Sequence, residues 1–535
     1  MANCPRRAVR LTAVLILLAC AAAGSVSCTT ATNDNAETSV APSSETNLPP
    51  GEYSSVTVTD QRIDDAVGKL DGLVNDLMQS SHIPGMAVAV VHGGKTMYAK
   101  GFGVRDIARP DKVDPDTVFQ LASVSKSVSA TVVAHEVGRG AVTWDTPVVS
   151  KLPWFTLRDP YVTQNVTVAD MFAHRSGLPD HAGDKLEDLG YDRRQVLERL
   201  RFQPLGPFRI TYDYTNFGLT AGADAVAAAA GTDYASLAAQ AIFAPLGMNS
   251  TSARFADFQA RPDHAVGHML VDGKYVAQRV RDPDAQAPAG GVSSSVNDMA
   301  KWLAMLIANG SFDGKQIVDS KALLPAITPQ IVSGPSKTPA ARAGLYGYGF
   351  NVSTTSGGRQ IYSHSGAFAL GAATNFVVMP SANLAIIALT NAAPIGLPET
   401  LTAEFMDLVQ YGQIRQDWKN LYRNAFDAMD KPVGSLVGKQ PPANPAPAQP
   451  LSSYTGVYQN DYWGPATVTE QGGKLMLALG PQRQTFELSH WDGDTFTFRL
   501  NNENAPEGTI SKASFAGDSL TLEYYDTEGL GRFTK

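Results

Sequence analysis

A serine and a lysine three residues apart form the pair best suited to catalysis, and Ser123-Val-Ser-Lys126 is the only S-x-x-K in the chain. On a helix this spacing brings both side chains to one face, so the lysine amine can reach the serine hydroxyl. A buried lysine loses its charge easily, and a neutral amine can accept the proton of a serine nucleophile. The pair therefore predicts an acyl-enzyme on Ser123. The alternative is an N-capping serine followed by a solvated lysine.

An aromatic hydroxyl and a carboxamide lie two residues apart in Tyr212-Asp-Tyr214-Thr-Asn216-Phe-Gly218. We expect Tyr214 to relay a proton between the serine and the leaving group, and Asn216 to hydrogen-bond a substrate amide. A core tyrosine beside a turn asparagine would give the same pattern, so the pair is informative only together with the other motifs.

A histidine followed by small residues occurs in Ser363-His364-Ser-Gly-Ala367. A strand edge here would offer the Ala367 N–H as an oxyanion donor beside the N–H of Ser123. The alternative is a strand histidine next to a small-residue bulge.

The serine must sit at the start of a helix for this chemistry. A segment of apolar and small residues follows Ala122, runs to Val137 and stops at Gly138, as a buried helix would. Ser123 would then lie at the helix N-terminus, where free backbone N–H groups and the helix dipole favour negative charge.

Period-two apolar runs predict two hairpins, one near each end of the region that carries the motifs. Helix-like stretches lie between them, and a further helix precedes the first hairpin. The predicted strands are 86–92, 95–100, 373–379 and 384–389, and the predicted helices include 63–78, 221–230 and 298–308. This arrangement favours an α+β fold, an antiparallel sheet flanked by helices together with an α domain.

Composition narrows the function further. The chain has 535 residues, of which 44% are hydrophobic and 18% charged, as in an ordinary soluble protein with two or more packing units. The formal net charge of -8 argues against a nucleic-acid partner, because phosphate binding needs concentrated Lys and Arg. No H-E-x-x-H or H-x-H pattern occurs, so neither a metal nor another cofactor is predicted.

The N-terminus predicts export. Arginines at 6, 7 and 10 precede an apolar stretch that is too short to span a bilayer stably, as in a signal peptide. Ser25-Val-Ser-Cys28 is similar to a lipobox, so Cys28 is the predicted lipidation site. Rival readings are Leu17-Leu-Ala-Cys20 and plain cleavage after Ala21–Ala23. The membrane would be contacted only through this anchor, on the outer face of the cytoplasmic membrane or in the cell envelope.

Composition shifts divide the chain into five predicted parts. They are an export signal at 1–28, a disordered tether at 29–60, a hydrolase domain at 61–430, a Pro/Ala-rich linker at 431–450 and an all-β, barrel-like domain at 451–535. All three cysteines lie at or before Cys28, so no disulfide is expected in the mature protein. Oligomeric state has no signal in the sequence.

The three motifs together resemble those of the penicillin-recognising serine hydrolases, which carry S-x-x-K, Y-x-N and [KH]-[ST]-G in this order. That family takes in class C β-lactamases, D-alanyl-D-alanine peptidases, esterases and D-amino-acid peptidases. The resemblance spans roughly 61–400 and includes further segments: Ile83-Pro-Gly-Met86, Asp116-Thr-Val-Phe-Gln-Leu-Ala122, His174-Arg-Ser-Gly-Leu-Pro179, Pro245-Leu-Gly-Met248 and Pro288-Ala-Gly-Gly-Val-Ser293.

The resemblance implies a site and a mechanism. Its catalytic residues would be Ser123, Lys126, Tyr214 and His364, and its substrate-binding residues Asn216, Ser365, Gly366 and Ala367. Water would resolve the ester on the serine. The substrate would be a small molecule or a peptide.

The histidine is a departure, since the lactamases of the family usually have lysine there. At an unperturbed pKa of about 6.5, His364 would carry only a fractional charge at pH 7. This favours peptide or ester hydrolysis over efficient penicillin turnover. The alternative function is a non-catalytic cell-wall or partner-binding module that retains the hydrolase fold. The segment from Leu451 resembles an uncharacterised β-domain appended to hydrolases of this family.

Overall fold

The computed structural model describes residues 48–49, 51–427, 429 and 431–535. The predicted export signal, its Cys28 and most of the predicted tether lie outside these residues. The α-helices are α1 Asp60–Val67, α2 Leu70–Ser81, α3 Val124–Gly138, α4 Val148–Lys151, α5 Pro160–Asn165, α6 Val168–Phe172, α7 Asp184–Asp188, α8 Arg193–Arg199, α9 Asn216–Ala229, α10 Tyr234–Ala238, α11 Phe255–Ala260, α12 Ala287–Gly290, α13 Val296–Ile307, α14 Ser320–Leu323, α15 Leu397–Tyr411 and α16 Trp418–Phe426.

The strands form two large sheets and three small ones. They are β1 Gly85–His92, β2 Lys95–Gly103, β3 Phe119–Gln120, β4 Met269–Val271, β5 Lys274–Val276, β6 Ser293–Ser294, β7 Ser311–Phe312, β8 Lys315–Gln316, β9 Ile331–Gly334, β10 Gly344–Tyr346, β11 Asn351–Thr354, β12 Gln360–Phe368, β13 Ala372–Met379, β14 Leu384–Thr390, β15 Gly456–Tyr458, β16 Ala466–Gln471, β17 Lys474–Leu479, β18 Gln484–Asp492, β19 Thr495–Asn502, β20 Ala505–Ala516, β21 Ser519–Leu522 and β22 Arg532–Thr534.

The first large sheet is antiparallel, with the strand order β2-β1-β14-β13-β12-β11-β10-β9. Its central strands β1, β13 and β14 are buried on both faces apart from one partly buried end. Helices explain this: α1, α2 and α15 pack on one face, and α3 and α13 share a core with the other. Strands covered on both sides become almost continuously apolar, as their sequences are.

The helical region from α4 to α12 joins the two ends of this sheet. Its helix α9 contacts α3, α6 and α12, so the S-x-x-K helix lies between helices on one side and the sheet on the other. Within α3, twelve of fifteen residues are buried, including polar ones. Residues outside α3 bind two of these hydroxyls: Ser127 donates to the Gly349 carbonyl and Ser125 accepts the Val292 N–H.

The second large sheet runs β15 to β22 in sequence order, every pair antiparallel. Backbone hydrogen bonds between Gln459 and Thr534 bring its first and last strands together, so the sheet nearly closes into a barrel. Its apolar residues share one cluster with those of α4 to α9, so the barrel packs directly on the helical region. The Tyr191 hydroxyl donates across this contact to the Trp463 carbonyl at 2.8 Å.

The predicted fold class is confirmed: an antiparallel sheet flanked by helices with a helical region, followed by an all-β barrel. The predicted hairpin strands all form, with ends shifted by at most three residues. The predicted helix over 63–78 is instead two helices, α1 and α2, separated at Gly68 and Lys69. Glycine is a poor helix residue, and here it ends α1. Within the part of the chain that the structure describes, no helix is long and apolar enough to cross a membrane.

Candidate active site

Ser123 occupies the N-cap position of α3, as predicted, and its side chain caps no backbone N–H. The residue before it, Ala122, has a φ of 46°, in the left-handed region that costs a non-glycine residue roughly 1–2 kcal/mol. This turn connects β3 to α3. It leaves Ser123 partly exposed while Ala122 and Val124 are fully buried.

Lys126 is completely buried one turn along α3. Its Nζ lies 3.0 Å from Ser123 Oγ, 2.7 Å from Asn216 Oδ1 and 2.9 Å from the Ala289 carbonyl oxygen. The amide and carbonyl oxygens can only accept, whereas the serine hydroxyl can also donate. A neutral amine has two N–H groups and one lone pair, so it fits this site with the lone pair directed at the serine proton.

Burial lowers the pKa of Lys126 to about 7, against the opposing charge of Asp184. The neutral amine is therefore well populated at physiological pH, as a general base requires. The structure therefore agrees with the expectation of a buried, easily neutralised lysine and not with the alternative of a solvated one.

Asn216 begins α9 and connects Lys126 to a buried carboxylate. Its Oδ1 accepts from Lys126, and its Nδ2 donates to Asp184 Oδ2 at 2.8 Å. The same carboxylate oxygen accepts from His181 Nδ1 at 2.7 Å. One N–H of the Asn216 amide has no acceptor among the described residues, so it remains for the predicted contact with a substrate.

Tyr214 lies beside the same amine, with Lys126 Nζ 4.6 Å from the centre of its ring. Burial raises the pKa of Tyr214 well above its usual value of 10, and a hydrogen bond with Ser123 opposes the rise. Its hydroxyl therefore stays protonated. Lys126 rather than Tyr214 is the group able to take the serine proton, and Tyr214 is placed to hand a proton on.

Strand β12 passes very close to the serine at Gly366. A Cβ atom there would lie 2.2 Å from the Leu121 carbonyl oxygen, 2.3 Å from Thr374 Oγ1 and 3.0 Å from the Ser123 backbone nitrogen. The Thr374 hydroxyl donates to that same Leu121 carbonyl at 2.7 Å. Glycine is therefore required, because any side chain would push the strand away from the helix N-terminus.

The predicted oxyanion donors are the N–H groups of Ser123 and Ala367, which belong to the two segments that meet at Gly366. Strand β11 pairs only with residues 360–363 of β12, so Ala367 has a strand partner on one side alone, at Ala373 of β13. Among the described residues no acceptor is assigned to the Ser123 N–H. The role of these two N–H groups stays a prediction, and the geometry provides the opening that it needs.

His364 does not carry the fractional charge expected from its sequence. Burial and the nearby Lys126 lower its pKa to about 3, despite a hydrogen bond to the Ser365 carbonyl. That bond, at 2.6 Å, requires the proton on Nδ1, so Nε2 accepts from the Tyr346 hydroxyl at 2.9 Å. Both ring nitrogens are used, and the ring lies in a buried aromatic cluster with His174, Tyr212, Tyr214 and Tyr346. The geometry supports a positioning role for His364.

Ser365, next along β12, does face the cavity. Its Oγ accepts from Asn375 Nδ2 at 2.9 Å, and Asn375 Oδ1 accepts in turn from the Thr402 hydroxyl at 2.7 Å. The serine hydroxyl is thus held in place by Asn375, and it also hydrogen-bonds the buried Glu399 carboxyl.

A cavity of about 370 Å³ opens over the serine. It is lined by Ser123, His181, Asp184, Tyr214, Asn216, Arg281, Gln286, Ser365, Ala367, Phe368, Ala369, Met429, Glu503, Asn504 and Pro506. Of the predicted residues, Lys126, His364 and Gly366 lie beneath this lining and the others within it.

Sequence reasoning missed three groups in this cavity. Asp184 and Arg281 lie in segments with no recognisable pattern, and Glu503 comes from the barrel, where no site was expected. Arg281 Nη2 lies 2.6 Å from Glu187 Oε2, so the guanidinium in the wall is already paired. Within the described ranges no cluster of three or more His, Cys, Asp or Glu side chains could hold a metal ion.

Comparison with known proteins places this geometry in a family. The sequence model of the family described as Beta-lactamase matches residues 70–410, and that of a domain of unknown function, DUF3471, matches residues 440–522. The second match covers most of the barrel.

Individual relatives are distant. The chain is 27% identical over 412 residues to an unguisins hydrolase, ungD', of Aspergillus campestris, covering 74% of this chain and 75% of that one. It is 21% identical over 384 residues to protein flp of Staphylococcus aureus, covering 70% and 73%. In structure it is similar to an octameric penicillin-binding protein homologue from Pyrococcus abyssi, with a TM-score of 0.56 and 21% identity, covering 88% of this chain and all of that one. The predicted β-lactamase/transpeptidase-like fold is confirmed.

The fall of kcat/KM at low pH should reflect protonation of the Lys126 amine. Because the neutral amine is the base and its pKa is about 7, kcat/KM should fall about tenfold per pH unit below pH 7 and level off above it. Lys126→Arg, which stays charged, should lower the plateau value of kcat/KM by about 10²–10⁴-fold and abolish the fall centred on pH 7. The exposed Lys69 provides the control, Lys69→Arg. A flat wild-type profile between pH 5 and 9 would contradict the assignment.

Replacing Gly366 by alanine should separate β12 from the serine. We expect kcat/KM to fall by at least about 100-fold, since small displacements of reacting groups are costly, and unfolding free energy to fall by about 1–3 kcal/mol. Gly72, in an exposed part of α2 with open space for a Cβ, gives the matched control Gly72→Ala, which should keep full activity. Kinetics and thermal unfolding of both variants test this, and an active Gly366→Ala enzyme would refute the steric argument.

Proposed function

The chain belongs to the beta-lactamase family, and on that premise we propose that it is an exported serine hydrolase that cleaves amide or ester bonds through an acyl-enzyme on Ser123. The observation that carries this is the buried Lys126 amine, held 3.0 Å from Ser123 Oγ by two further acceptors. A module that only bound a partner would have no need of a desolvated amine at this position.

The first half-reaction forms the ester. Ser123 Oγ attacks the substrate carbonyl carbon while its proton passes to the Lys126 amine. The negative charge that develops on the carbonyl oxygen would be held by the N–H groups of Ser123 and Ala367. When the bond to the leaving amine or alcohol breaks, Tyr214 supplies a proton to the leaving group and regains one from the Lys126 ammonium.

The second half-reaction repeats these roles with water. A water molecule loses a proton to the regenerated Lys126 amine and attacks the ester carbon. Collapse of the second tetrahedral intermediate returns the serine oxygen, which takes up the proton. Asp184 would stabilise the transient Lys126 ammonium through Asn216, since its charge favours that state.

Peptide or ester substrates suit this cavity better than penicillins. The lactamases of the family usually place a lysine cation where this chain has His364, and this histidine is neutral because its pKa is about 3. The cavity's Arg281 is already paired with a carboxylate. A substrate carboxylate therefore meets little uncompensated positive charge. The naming of one relative as an unguisins hydrolase is in keeping with hydrolytic activity.

Intact-mass spectrometry tests the proposal directly. Purified protein is incubated with short esters, D-Ala-D-Ala peptides, β-lactams and a fluorophosphonate. We expect a covalent fluorophosphonate adduct on Ser123, turnover of an ester or peptide, and slow or absent release of any β-lactam adduct. Ser123→Ala should lose every adduct, whereas Ser125→Ala, whose side chain is turned into the core, should still be labelled. Wild-type protein that reacts with none of these compounds would favour the binding-module alternative.

The export proposal has its own test. If Cys28 carries the lipid, Cys28→Ser should move the protein from the membrane fraction to the soluble fraction of a bacterial host, because one acylated cysteine is what converts an exported protein into an anchored one. Cys20→Ser is the control and should remain membrane-bound. Membrane association that survives Cys28→Ser would overturn the assignment.

A further inference from the structure

The barrel reaches the active site through one tight turn. Asn502 pairs with Ala505, so Glu503 and Asn504 are the two central residues of the β19–β20 hairpin. Both line the cavity over Ser123, together with Pro506 from β20.

Glu503 makes the contacts that matter most. Its two carboxylate oxygens accept the backbone N–H groups of Ala369 and Leu370, at 2.8 and 3.2 Å. These residues form the turn that follows β12, two and three positions after Ala367. The side chain is 12% exposed, so the two hydrogen bonds are largely shielded from water.

The hairpin tip, formed by Glu503 and Asn504, is also held by contacts outside the β12–β13 turn. Asn504 Nδ2 donates to Asp188 Oδ2 at 2.9 Å, and the Asn504 carbonyl accepts from the Tyr524 hydroxyl at 2.8 Å. Asp188 belongs to α7, the helix that carries Asp184. The hairpin tip thus joins the two walls of the cavity, the β12–β13 turn and α7.

We propose that Glu503 is a positioning residue of the active site: by binding the β12–β13 turn, it holds the Ala367 N–H at the distance from Ser123 that oxyanion stabilisation needs. The barrel is then a working part of the catalytic centre. This inference rests on the proposed function, since it assigns Glu503 a task in that reaction.

Backbone contacts also hold the turn, since Phe368 pairs with Ala372 across it and the backbone of Gly267 and His268 lies against Gly371. Gly371 closes it with a hydrogen bond to the Phe368 carbonyl, and β12 has lost its β11 neighbour by this point. A carboxylate that accepts two adjacent N–H groups fixes the turn from outside. Glutamine in its place offers one acceptor oxygen and one NH₂ group, which would repel the second N–H.

The test uses full-length Glu503→Gln and measures the inhibition constant of an aryl boronic acid, which forms a tetrahedral adduct on a reactive serine. Because the adduct's oxygen occupies the oxyanion position, its affinity reports donor placement and is independent of the fraction of active enzyme. We expect about tenfold weaker inhibition, less than the 10²–10³-fold that follows removal of a donor. The rate of fluorophosphonate labelling should fall in parallel, and kcat for an ester should fall more than KM changes.

Glu487→Gln is the matched control, because Glu487 is an exposed barrel carboxylate that pairs with Lys474. This variant should have the same boronic acid inhibition constant and fluorophosphonate labelling rate as wild type. Inhibition of Glu503→Gln within twofold of wild type would overturn the inference, as would an equal loss in the control. If Glu503→Gln yields no labelled enzyme, Glu503→Asp makes the same comparison, since its carboxylate is withdrawn by one methylene. If wild-type protein binds neither the boronic acid nor the fluorophosphonate, the proposed function itself is overturned. If wild type is labelled and Glu503→Gln behaves like it, only the role of Glu503 is overturned.

Discussion

The burial of one amine organises this structure. Lys126 has no solvent exposure, and taking an ammonium out of water is costly enough to bring its pKa to about 7. That burial needs protein on every side of α3: the sheet, α9 with Asn216, and α12 with the Ala289 carbonyl. The helical layer can therefore be understood as the surroundings that keep Lys126 dry while leaving Ser123 open to the cavity.

The second requirement is a close approach of the β12 backbone to the N-terminus of α3. A nucleophile at a helix N-terminus is useful only if a second donor lies across from it, and Gly366 lets β12 come near enough. A small displacement of β12 would misplace the Ala367 N–H, so the turn that follows Ala367 must be held in position. Residues of the sheet, the helical region and the barrel converge there, although Glu503 and Ala369 are 134 positions apart in the chain.

The groups around the Lys126 amine differ in their charge. Asp184 favours the ammonium through Asn216, while His364 stays neutral and joins the buried aromatic cluster. Neutrality at His364 removes a potential anchor for a substrate carboxylate, and Arg281 is already paired with Glu187. In the proposed reaction, the cavity would therefore meet a substrate with hydrogen-bonding groups such as the Asn216 amide in place of an unpaired Arg281 cation.

The sequence by itself determined what depends on near neighbours. The apolar segment from Ala122 to Val137 predicted the nucleophile's helix, the period-two runs predicted the hairpin strands of the first sheet, and residues 451–535 were predicted to be all-β. Only the tertiary structure decided the pKa of His364, the link from Asn216 to Asp184 and the presence of Glu503 at the cavity. Burial and long-range hydrogen bonds create those properties, and neither is encoded in the pattern of adjacent residues. Asp184 and Glu503 have ordinary sequence surroundings, and their importance arises only when the fold brings them to the serine.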